Sequence, residues 1–313
     1  NEVNVLFDIM RKLKAMGRSI IFISHRLKEV FQIADVITVL RDGQVTDVKQ
    51  AGETDIREIT NLMVGRELSQ HFPEKKPAKR GDEVLTVRNL TKHGVLYNID
   101  LTLHRGEIVG VAGLEGHGQR ELARAIFGAD SRDRGEILVE GTKRNIRSPH
   151  EAIEAGIAFV SDDRKAEGVI LDLSVLHNVA LPSVQDRAFW GFVDGEAEKN
   201  VVEGIVRDLR VRTSSLQQLT MFLSGGNQQK VVLSKWLITQ PRVIIFCEPT
   251  RGIDVGAKEE IYRLMRDFAD QGTAILMVSS ELGEILGMSD RVLVMHDGRI
   301  VAEFVGDEAT ETA

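Results

Sequence analysis

Eight consecutive residues contain a pattern of glycines that could bind a phosphate group. The segment GLEGHGQR at 113–120 has the spacing G-x-x-x-x-G of a phosphate-binding loop. Glycine permits positive φ and a close approach of the backbone, so that N–H groups and a helix N-terminus can surround an anion. An apolar strand at 108–112 and a helix at 121–127 flank it in the order that such a unit requires. A glycine-rich turn that only joins a strand to a helix remains the alternative.

A second group of candidate residues lies about a hundred residues further along the chain. The segment LSGGNQ at 223–228 offers a serine hydroxyl and glycine amides at the start of a helix, where an anion is favoured, although such a turn alone is more often an ordinary helix start. The apolar segment VIIFC at 243–247 then leads to Glu248, whose carboxylate could polarise a water molecule. We interpret Cys247 as a small buried strand residue without a redox role.

An internal repeat organises the elements that must position these residues. An offset of 255 residues lays the N-terminal stretch on the C-terminal stretch without a gap. In both copies a helix is followed by a predicted short strand, at 20–23 and at 275–278. The matched positions are Gly17 and Gly272, Ile20 and Ile275, Ser24 and Ser279, Leu27 and Leu282, Glu29 and Glu284, Asp35 and Asp290, Val39 and Val294, Asp42 and Asp297, and Gly43 and Gly298.

The repeat predicts a division of the chain into three parts. Residues 1–70 are expected to be the end of a first copy, 71–83 an exposed linker, and 84–313 a second copy. Because the chain begins at Asn1 directly in a helical pattern, we expect it to be a piece of a longer protein. Alternating segments at 84–87 and 96–103 predict a small antiparallel sheet.

Composition adds limits on the class of protein. The net charge of −7 gives no sign of a nucleic-acid-binding surface, and a single cysteine excludes an intramolecular disulfide. The sequence has no run of roughly 18 apolar residues and no recognisable signal peptide.

The segment LSGGNQ and the apolar strand that ends in Glu248, Pro249 and Thr250 resemble the signature motif and Walker B region of ATP-binding cassette (ABC) ATPases. The resemblance implies an α/β fold of the P-loop NTPase class, with a RecA-like core, an antiparallel β subdomain and a helical subdomain at about 168–222. It implies ATP and Mg²⁺ as cofactors and, as catalytic residues, Glu248 and His25, which resembles the histidine that contacts the γ-phosphate. The implied cofactor-binding residues are Gly113, Gly116, Gly118, Gln119, Arg120, Ser224, Gly225, Gly226 and Gln228.

Several positions depart from the pattern of that family. Gln119 stands where a lysine would contact the phosphates, and Arg120 where a hydroxyl would bind Mg²⁺. Cys247 replaces the aspartate before Glu248, and Ser280 is the repeat partner of His25. We therefore assign no metal ligand and predict a degenerate nucleotide site. If two cassettes pair head to tail, the segment at 224–228 closes on ATP held by the first cassette, and this chain alone hydrolyses little or no ATP.

The segments at 161–168, 227–237 and 251–258 look like the second cassette of fused sugar-import ATPases of the ribose, xylose and galactose type. That resemblance implies a place at the cytoplasmic face of the bacterial inner membrane. Its implied partners are permease subunits, bound through the helical subdomain and Asp162–Lys165, a second cassette, and indirectly a periplasmic sugar-binding protein, but no nucleic acid. Three alternatives stay open: an importer of nucleosides or autoinducer sugars, a regulatory or scaffolding cassette independent of nucleotide, and a soluble ABC ATPase acting on DNA or ribosomes.

Overall fold

A computed structural model describes residues 2–24, 27–41, 43–64, 72–75, 81–184, 188–189 and 192–306. Close contacts divide the chain into two units. The first comprises Asn1–His71 with Asp254–Gly256, and the second comprises Phe72–Ile253 with Ala257–Ala313. Among the described helices, none combines the length and the apolar character that a bilayer span requires.

The first unit is a small helix and hairpin assembly. Its hairpin is antiparallel, and Leu27, Val30, Ile37, Val39 and Ile59 form a core between the hairpin and two helices. Its elements are helix α1 (Glu2–Ala15), helix α2 (Leu27–Ile33), strand β1 (Val36–Arg41), strand β2 (Gln44–Gln50), a 3-10 turn (Ala51–Glu53) and helix α3 (Ile56–Val64).

The strand predicted at 20–23 is wrong. The backbone there is irregular, and Ile21 and Ile23 are 91% and 88% exposed. Its repeat counterpart at 275–278 is a fully buried strand with a hydrogen-bonded neighbour on each side. A strand needs a partner for its backbone groups, and no described strand pairs with residues 20–23.

The second unit contains two sheets surrounded by helices. In chain order its regular elements are β3 (Glu83–Lys92), β4 (Leu96–His104), β5 (Ile108–Ala112), α4 (Gln119–Ile126), β6 (Arg134–Val139), β7 (Thr142–Arg144), α5 (Pro149–Glu154), β8 (Ile157–Val160), α6 (Val175–Ala180), β9 (Ala188–Phe189), β10 (Phe192–Val193), α7 (Gly195–Asp208), α8 (Gly225–Leu237), β11 (Val243–Cys247), α9 (Val255–Asp270), β12 (Ala274–Val278), α10 (Leu282–Met288), β13 (Arg291–His296) and β14 (Arg299–Val305). A π-helical turn spans Arg164–Gly168, and 3-10 turns span Leu181–Ser183 and Thr220–Phe222.

The larger sheet has six strands in the order β14-β13-β5-β12-β11-β8. Its strands are parallel except for β14, which pairs with β13 as a hairpin. Strands β5, β8, β11 and β12 are buried along their whole length, as expected for parallel strands covered on both faces. This topology brings the ends of β5 and β11, and the candidate residues that follow them, to one edge of the sheet.

The smaller sheet confirms the antiparallel subdomain predicted from alternation. Its order is β4-β3-β6-β7, with every pairing antiparallel. Helices α6, α7 and α8 pack on one another, with Val202 and Val231 fully buried between the surrounding apolar side chains. They form the helical part of the unit and run from Val175 to Leu237. The bounds expected for a helical subdomain, about 168–222, stay a prediction.

Phe72, near the beginning of the predicted exposed linker, packs within the second unit. The Phe72 ring lies 5.1 Å from the Tyr262 ring, centroid to centroid. A Cβ atom on Gly287 would come within 2.2 Å of the Phe72 ring, so the glycine leaves room for it. The expectation of an exposed segment is therefore wrong at Phe72, because apolar contact outweighs the polar composition around it. Residues 76–80 of the segment lie outside the described residues.

Candidate functional site

The glycine-rich segment forms the loop between β5 and α4 that its spacing predicts. Gly116 and Gly118 have φ values of +88° and +100°, a region that other residues rarely adopt. A Cβ atom on Gly118 would lie 3.0 Å from Leu96, so the loop also passes close to β4. Gly113 follows β5 directly, and α4 begins at Gln119, two residues earlier than predicted.

The Gln119 side chain folds back into this loop. It is 8% exposed, and its amide nitrogen donates a hydrogen bond to the carbonyl oxygen of Leu114 at 3.1 Å. A Cβ atom on Gly113 would come within 2.2 Å of the same nitrogen. Gln119 therefore supplies a neutral donor in the position where a lysine would supply a cation.

Arg120 uses its charge in an ion pair within the protein. Its guanidinium lies 3.1 Å from the carboxylate of Asp162, whose side chain is only 5% exposed. Asp162 also lies 3.5 Å from the guanidinium of Arg251. One turn further along α4, Arg124 pairs with Glu167 at 2.9 Å. Two arginines on one face of α4 thus hold the segment at 162–167 against the helix.

Cys247 ends β11 as a buried, neutral thiol. It is 1% exposed, and burial, with additional effects of Asp162 and Glu248, raises the pKa of its thiol to about 12. Mg²⁺ prefers hard oxygen ligands and usually contacts a carboxylate and substrate phosphates. A guanidinium at Arg120 has no lone pair to offer, and the Asp162 carboxylate is occupied by two arginines. The residues around this loop do not fit a bound Mg²⁺ ion.

Glu248 follows β11 with an unusual backbone conformation. Its φ is +49°, which is uncommon for a residue with a side chain and is found often at functional sites. Its carboxylate accepts hydrogen bonds from the backbone N–H of Ser280 at 2.6 Å and from the Ser280 hydroxyl at 3.2 Å. Burial raises the pKa of Glu248, which makes it a better proton acceptor than a free carboxylate. His25, the repeat partner of Ser280, lies outside the described residues.

A buried carboxylate that the sequence analysis assigned no role supports the turn after Glu248. Glu284 is 3% exposed and accepts hydrogen bonds from Tyr262 at 2.6 Å and Ser279 at 2.8 Å. Lys258 lies 3.0 Å from the same carboxylate, and Thr250, two residues after Glu248, also donates to it. Glu284 could have been noticed from the repeat, because Glu29 occupies the matching position.

The segment at 223–228 lies at the start of a helix, as predicted, and α8 begins at Gly225. Ser224 is exposed at the N-cap of α8, but its side chain makes no capping hydrogen bond, and its hydroxyl accepts from the Asn227 amide at 3.0 Å. Gly226 is buried, and a Cβ atom there would lie 2.7 Å from Ala257. Gln228 is 6% exposed and donates to the carbonyl of Thr220 at 3.2 Å, so its amide is used inside the protein.

Arg164 connects this helix start with two other segments. Its guanidinium donates to the carbonyl oxygens of Arg251 at 2.8 Å and Gly252 at 2.9 Å. A Cβ atom on Gly225 would lie 3.0 Å from the same guanidinium. Since the Arg251 side chain reaches Asp162, the glycine loop and the start of α8 are joined through the segments at 162–164 and 251–252.

Comparison with known sequences identifies relatives along nearly the whole chain. A family model described as "ABC transporter" matches residues 96–251. Ribose import ATP-binding protein RbsA of Bacillus licheniformis is 47% identical over 310 residues, which are 99% of this chain and 63% of that protein. A putative ribose/galactose/methyl galactoside import ATP-binding protein of Pseudomonas fluorescens is 48% identical over 311 residues, 99% of this chain and 60% of that protein. The chain thus spans less than two thirds of the length of these relatives.

Solved structures show the same fold at low sequence identity. A nucleotide-free ATP-binding cassette from an ABC transporter matches with a TM-score of 0.64 and 22% identity, over 72% of this chain and 93% of that chain. The dimeric bacterial ABC transporter cassette MJ0796 matches with a TM-score of 0.61 and 21% identity, over 71% of this chain and 98% of that chain.

Proposed function

The chain belongs to the ABC transporter family, and from this premise we propose that it is part of the ATP-binding, energy-coupling subunit of a monosaccharide importer. The names of its relatives, which refer to import of ribose and galactosides, support this class of substrate. In this proposal residues 1–70 end a first cassette and residues 84–313 form the second. The alternative of a soluble ABC ATPase that acts on DNA or ribosomes is supported neither by the names of these relatives nor by the net charge of −7.

The geometry of Ser224 is the observation that carries the proposal. Its exposed hydroxyl does not cap α8, so the hydroxyl and the first-turn amides of the helix can face an anion from outside the unit. We propose that Ser224, Gly225 and Gly226 close on ATP bound by the first cassette, as in a head-to-tail pair. Gln228 then contributes by supporting the helix through Thr220. His25 is proposed to face the same nucleotide, and Glu248 is the proposed catalytic carboxylate of this cassette.

The glycine loop is proposed to be the weaker nucleotide site of such a pair. ABC ATPase domains bind ATP with Mg²⁺, and a solved relative in fold was captured with ADP and phosphate. Here Gly116 and Gly118 have the positive φ values of a phosphate-binding turn, and Gly113 leaves room for the Gln119 side chain. Gln119 stands in place of the lysine, and Arg120 stands in place of the metal-binding hydroxyl. The poor fit of these residues to Mg²⁺ also favours one alternative, a regulatory or scaffolding cassette that acts independently of nucleotide.

An exposed apolar patch on the helical part supports contact with a permease. Ile170, Met221 and Phe222 are 48%, 46% and 69% exposed. The Met221 N–H donates to the carbonyl of Leu171 at 3.1 Å, which places the two segments side by side. Contiguous exposed apolar side chains are typical of protein–protein contacts. Ile170 follows Lys165 by five residues in the chain. We propose that the patch and Asp162–Lys165 both contact membrane subunits, with a periplasmic sugar-binding protein acting indirectly.

A chimera tests the proposal, with this chain replacing the matching part of Bacillus subtilis RbsA, to which it is 46% identical. Ser224→Glu places a carboxylate where the γ-phosphate is proposed to lie, yet suits a helix N-terminus. We expect it to reduce ATPase activity at least about tenfold, the effect of 1.4 kcal/mol. Leu114→Glu adds the same charge to the glycine loop at a side chain 72% exposed, and should leave most of the activity. Equal losses in both variants would contradict the asymmetric arrangement.

Transport is measured separately in a Bacillus subtilis strain that lacks its own RbsA. The unmodified chimera is expected to restore uptake of labelled ribose. The chimera could instead restore ATPase activity and take up a nucleoside but no ribose. That result would change the proposed substrate class from monosaccharides to nucleosides.

A further inference from the structure

Three potential metal ligands lie together at the glycine loop: His117 of the loop, and His296 and Asp297 of the turn between β13 and β14. Arg120 and Cys247 are not part of this group. The carboxylate of Asp297 lies 3.9 Å from Nε2 of His117 and 3.6 Å from Nε2 of His296. The two imidazole rings are 4.7 Å apart, centroid to centroid. One donor atom from each of the three residues can be chosen so that all lie within 4.8 Å of one another.

Backbone hydrogen bonds hold the two segments that carry these side chains. The N–H of Gly298 donates to the carbonyl of His117 at 3.0 Å, which joins the loop to the turn between β13 and β14. Asp297 and Gly298 have φ values of +44° and +71°, the conformation of a tight two-residue hairpin turn. The N–H of Tyr97 donates to the Gly298 carbonyl at 2.9 Å, so the turn is fixed on its other side as well. Only side-chain rotation is then needed to bring the ligands together.

The fold does not require a histidine at both positions, 117 and 296. In the sequence of the first copy, Asp42 and Gly43 match Asp297 and Gly298, but Arg41 stands at the position of His296. The repeat therefore retains the aspartate and the glycine but not the histidine. Nδ1 of His117 is buried without a hydrogen-bond partner among the described residues. This atom is not the nitrogen that faces Asp297, which is Nε2, so it shows only that no hydrogen bond from the described residues anchors the ring at Nδ1.

We propose that His117, His296 and Asp297 bind one divalent transition-metal ion of the zinc type. Two imidazoles and one carboxylate are ligands that Zn²⁺ accepts, whereas Mg²⁺ prefers oxygen alone. Bonds of about 2.0–2.1 Å in a tetrahedral site separate ligand atoms by about 3.3 Å. The observed distances of 3.6 and 3.9 Å run to the two different oxygens of Asp297. One donor atom from each residue can be placed within 4.8 Å of the others, so side-chain rotation must shorten these separations by about 1.5 Å. The bound ion joins the glycine loop to the β13–β14 turn.

Cobalt titration of the full chain, without a histidine tag, tests the site. Co²⁺ serves as the spectroscopic probe for a zinc-type ion because its visible d–d bands report nitrogen and oxygen coordination. We expect one Co²⁺ per chain, displaced by Zn²⁺, and binding weakened more than about tenfold in His117→Ala and in His296→Ala. The control is His150→Ala, because His150 is an exposed histidine 3.6 Å from the carboxylate of Glu154. This variant should bind as the parent does.

A thermal unfolding series provides a second measurement. Zn²⁺ should raise the midpoint of the parent and of His150→Ala, because an ion that binds only the folded state stabilises it. His296 is 63% exposed, so His296→Gln should unfold at the parental midpoint without metal and fail to respond to Zn²⁺. Absence of saturable d–d bands in the parent, or equal binding by the parent and His117→Ala, overturns the proposal.

Discussion

Cys247 lies at the end of β11, directly before Glu248, and its buried thiol should be unreactive. It is 1% exposed, and burial raises the pKa of its thiol to about 12. The thiolate is the reactive form, and at pH 8 a thiol with that pKa is ionised in only about one molecule in ten thousand. We therefore predict no reaction with a disulfide reagent at pH 8 in the folded chain, measured by absorbance.

The same chain provides the control for this prediction. It contains one cysteine, so unfolding in urea should release one reactive thiol per chain and no more. Rapid stoichiometric labelling of the folded chain would show that β11 opens to solvent at Cys247.

Gln119 allows a direct test of how much the absence of a lysine in the glycine loop weakens the binding of MgATP. We predict that Gln119→Lys binds MgATP about tenfold more tightly than the parent, because a charge-assisted hydrogen bond exceeds a neutral one by roughly 1.4 kcal/mol. A fluorescent ATP analogue titrated in the presence of Mg²⁺ measures the difference. Glu121→Gln is the matched control, because it changes the net charge by the same amount on the same helix. Equal gains in the two variants would attribute the effect to overall charge.

For individual residues, the sequence predicted where the loop lies better than it predicted which side chains meet. The loop at 113–118, with positive φ at Gly116 and Gly118, follows from glycine spacing. The ion pair between Arg120 and Asp162 could not be predicted, because the two residues are 42 positions apart and only the tertiary fold brings them together. The roles assigned to Glu248, His25 and the residues at 224–228 stay predictions.

At the scale of elements, Arg164 is the residue that joins the π-helical turn to its neighbours. It donates two hydrogen bonds to the backbone carbonyls of Arg251 and Gly252. We predict that Arg164→Ala lowers the free energy of unfolding by about 2 kcal/mol, since hydrogen bonds from a charged donor are worth about 1.5–3 kcal/mol. Urea denaturation followed by circular dichroism measures the loss.

The adjacent Lys165 provides the control for Arg164. Its side chain is exposed, and its backbone N–H donates a hydrogen bond to the Asp163 carboxylate, which truncation of the side chain preserves. Lys165→Ala should therefore unfold within about 0.5 kcal/mol of the parent. If both variants unfold like the parent, Arg164 does not hold these segments together.

Elements were predictable where local pattern and tertiary partners agreed. The apolar segment at 275–278 is a strand because β5 and β11 lie on either side of it. The related segment at 20–23 has a similar pattern but no described strand beside it, so periodicity alone gave the wrong result. Phe72 shows the converse case, an apolar residue in a polar segment that found a packing site beside Tyr262.

Across the second unit as a whole, Arg291 joins the two sheets. It lies at the start of β13, is 5% exposed, and pairs with Glu107 at 2.8 Å immediately before β5. It also donates to the carbonyl of Thr102 in β4, a strand of the antiparallel sheet. On its outer side it pairs with Glu303 at 3.1 Å, whose side chain is 45% exposed. One arginine thus has a buried and an exposed carboxylate partner, which allows their contributions to be compared.

Burial raises the pKa of Glu107, but the hydrogen bond and charge of Arg291 outweigh it and leave the pKa below the ordinary value of 4.5. A carboxylate with a lowered folded-state pKa stabilises the fold above its unfolded pKa, and this stability is lost as pH falls through the folded-state value. We predict that Glu107→Gln costs about 3–5 kcal/mol at pH 7, because Arg291 is left buried without that partner. The difference from the parent should shrink below about pH 4.5.

Glu303→Gln removes the exposed partner of the same arginine and should cost less than about 1 kcal/mol at pH 7. Urea unfolding of the parent and both variants between about pH 3 and pH 7 measures the two contributions. A similar cost for both substitutions, or a Glu107→Gln cost that is constant with pH, would show that the buried pair does not govern the acid stability of this unit. A large effect confined to Glu107 would establish that the joint between the two sheets depends on an ionised carboxylate inside the protein.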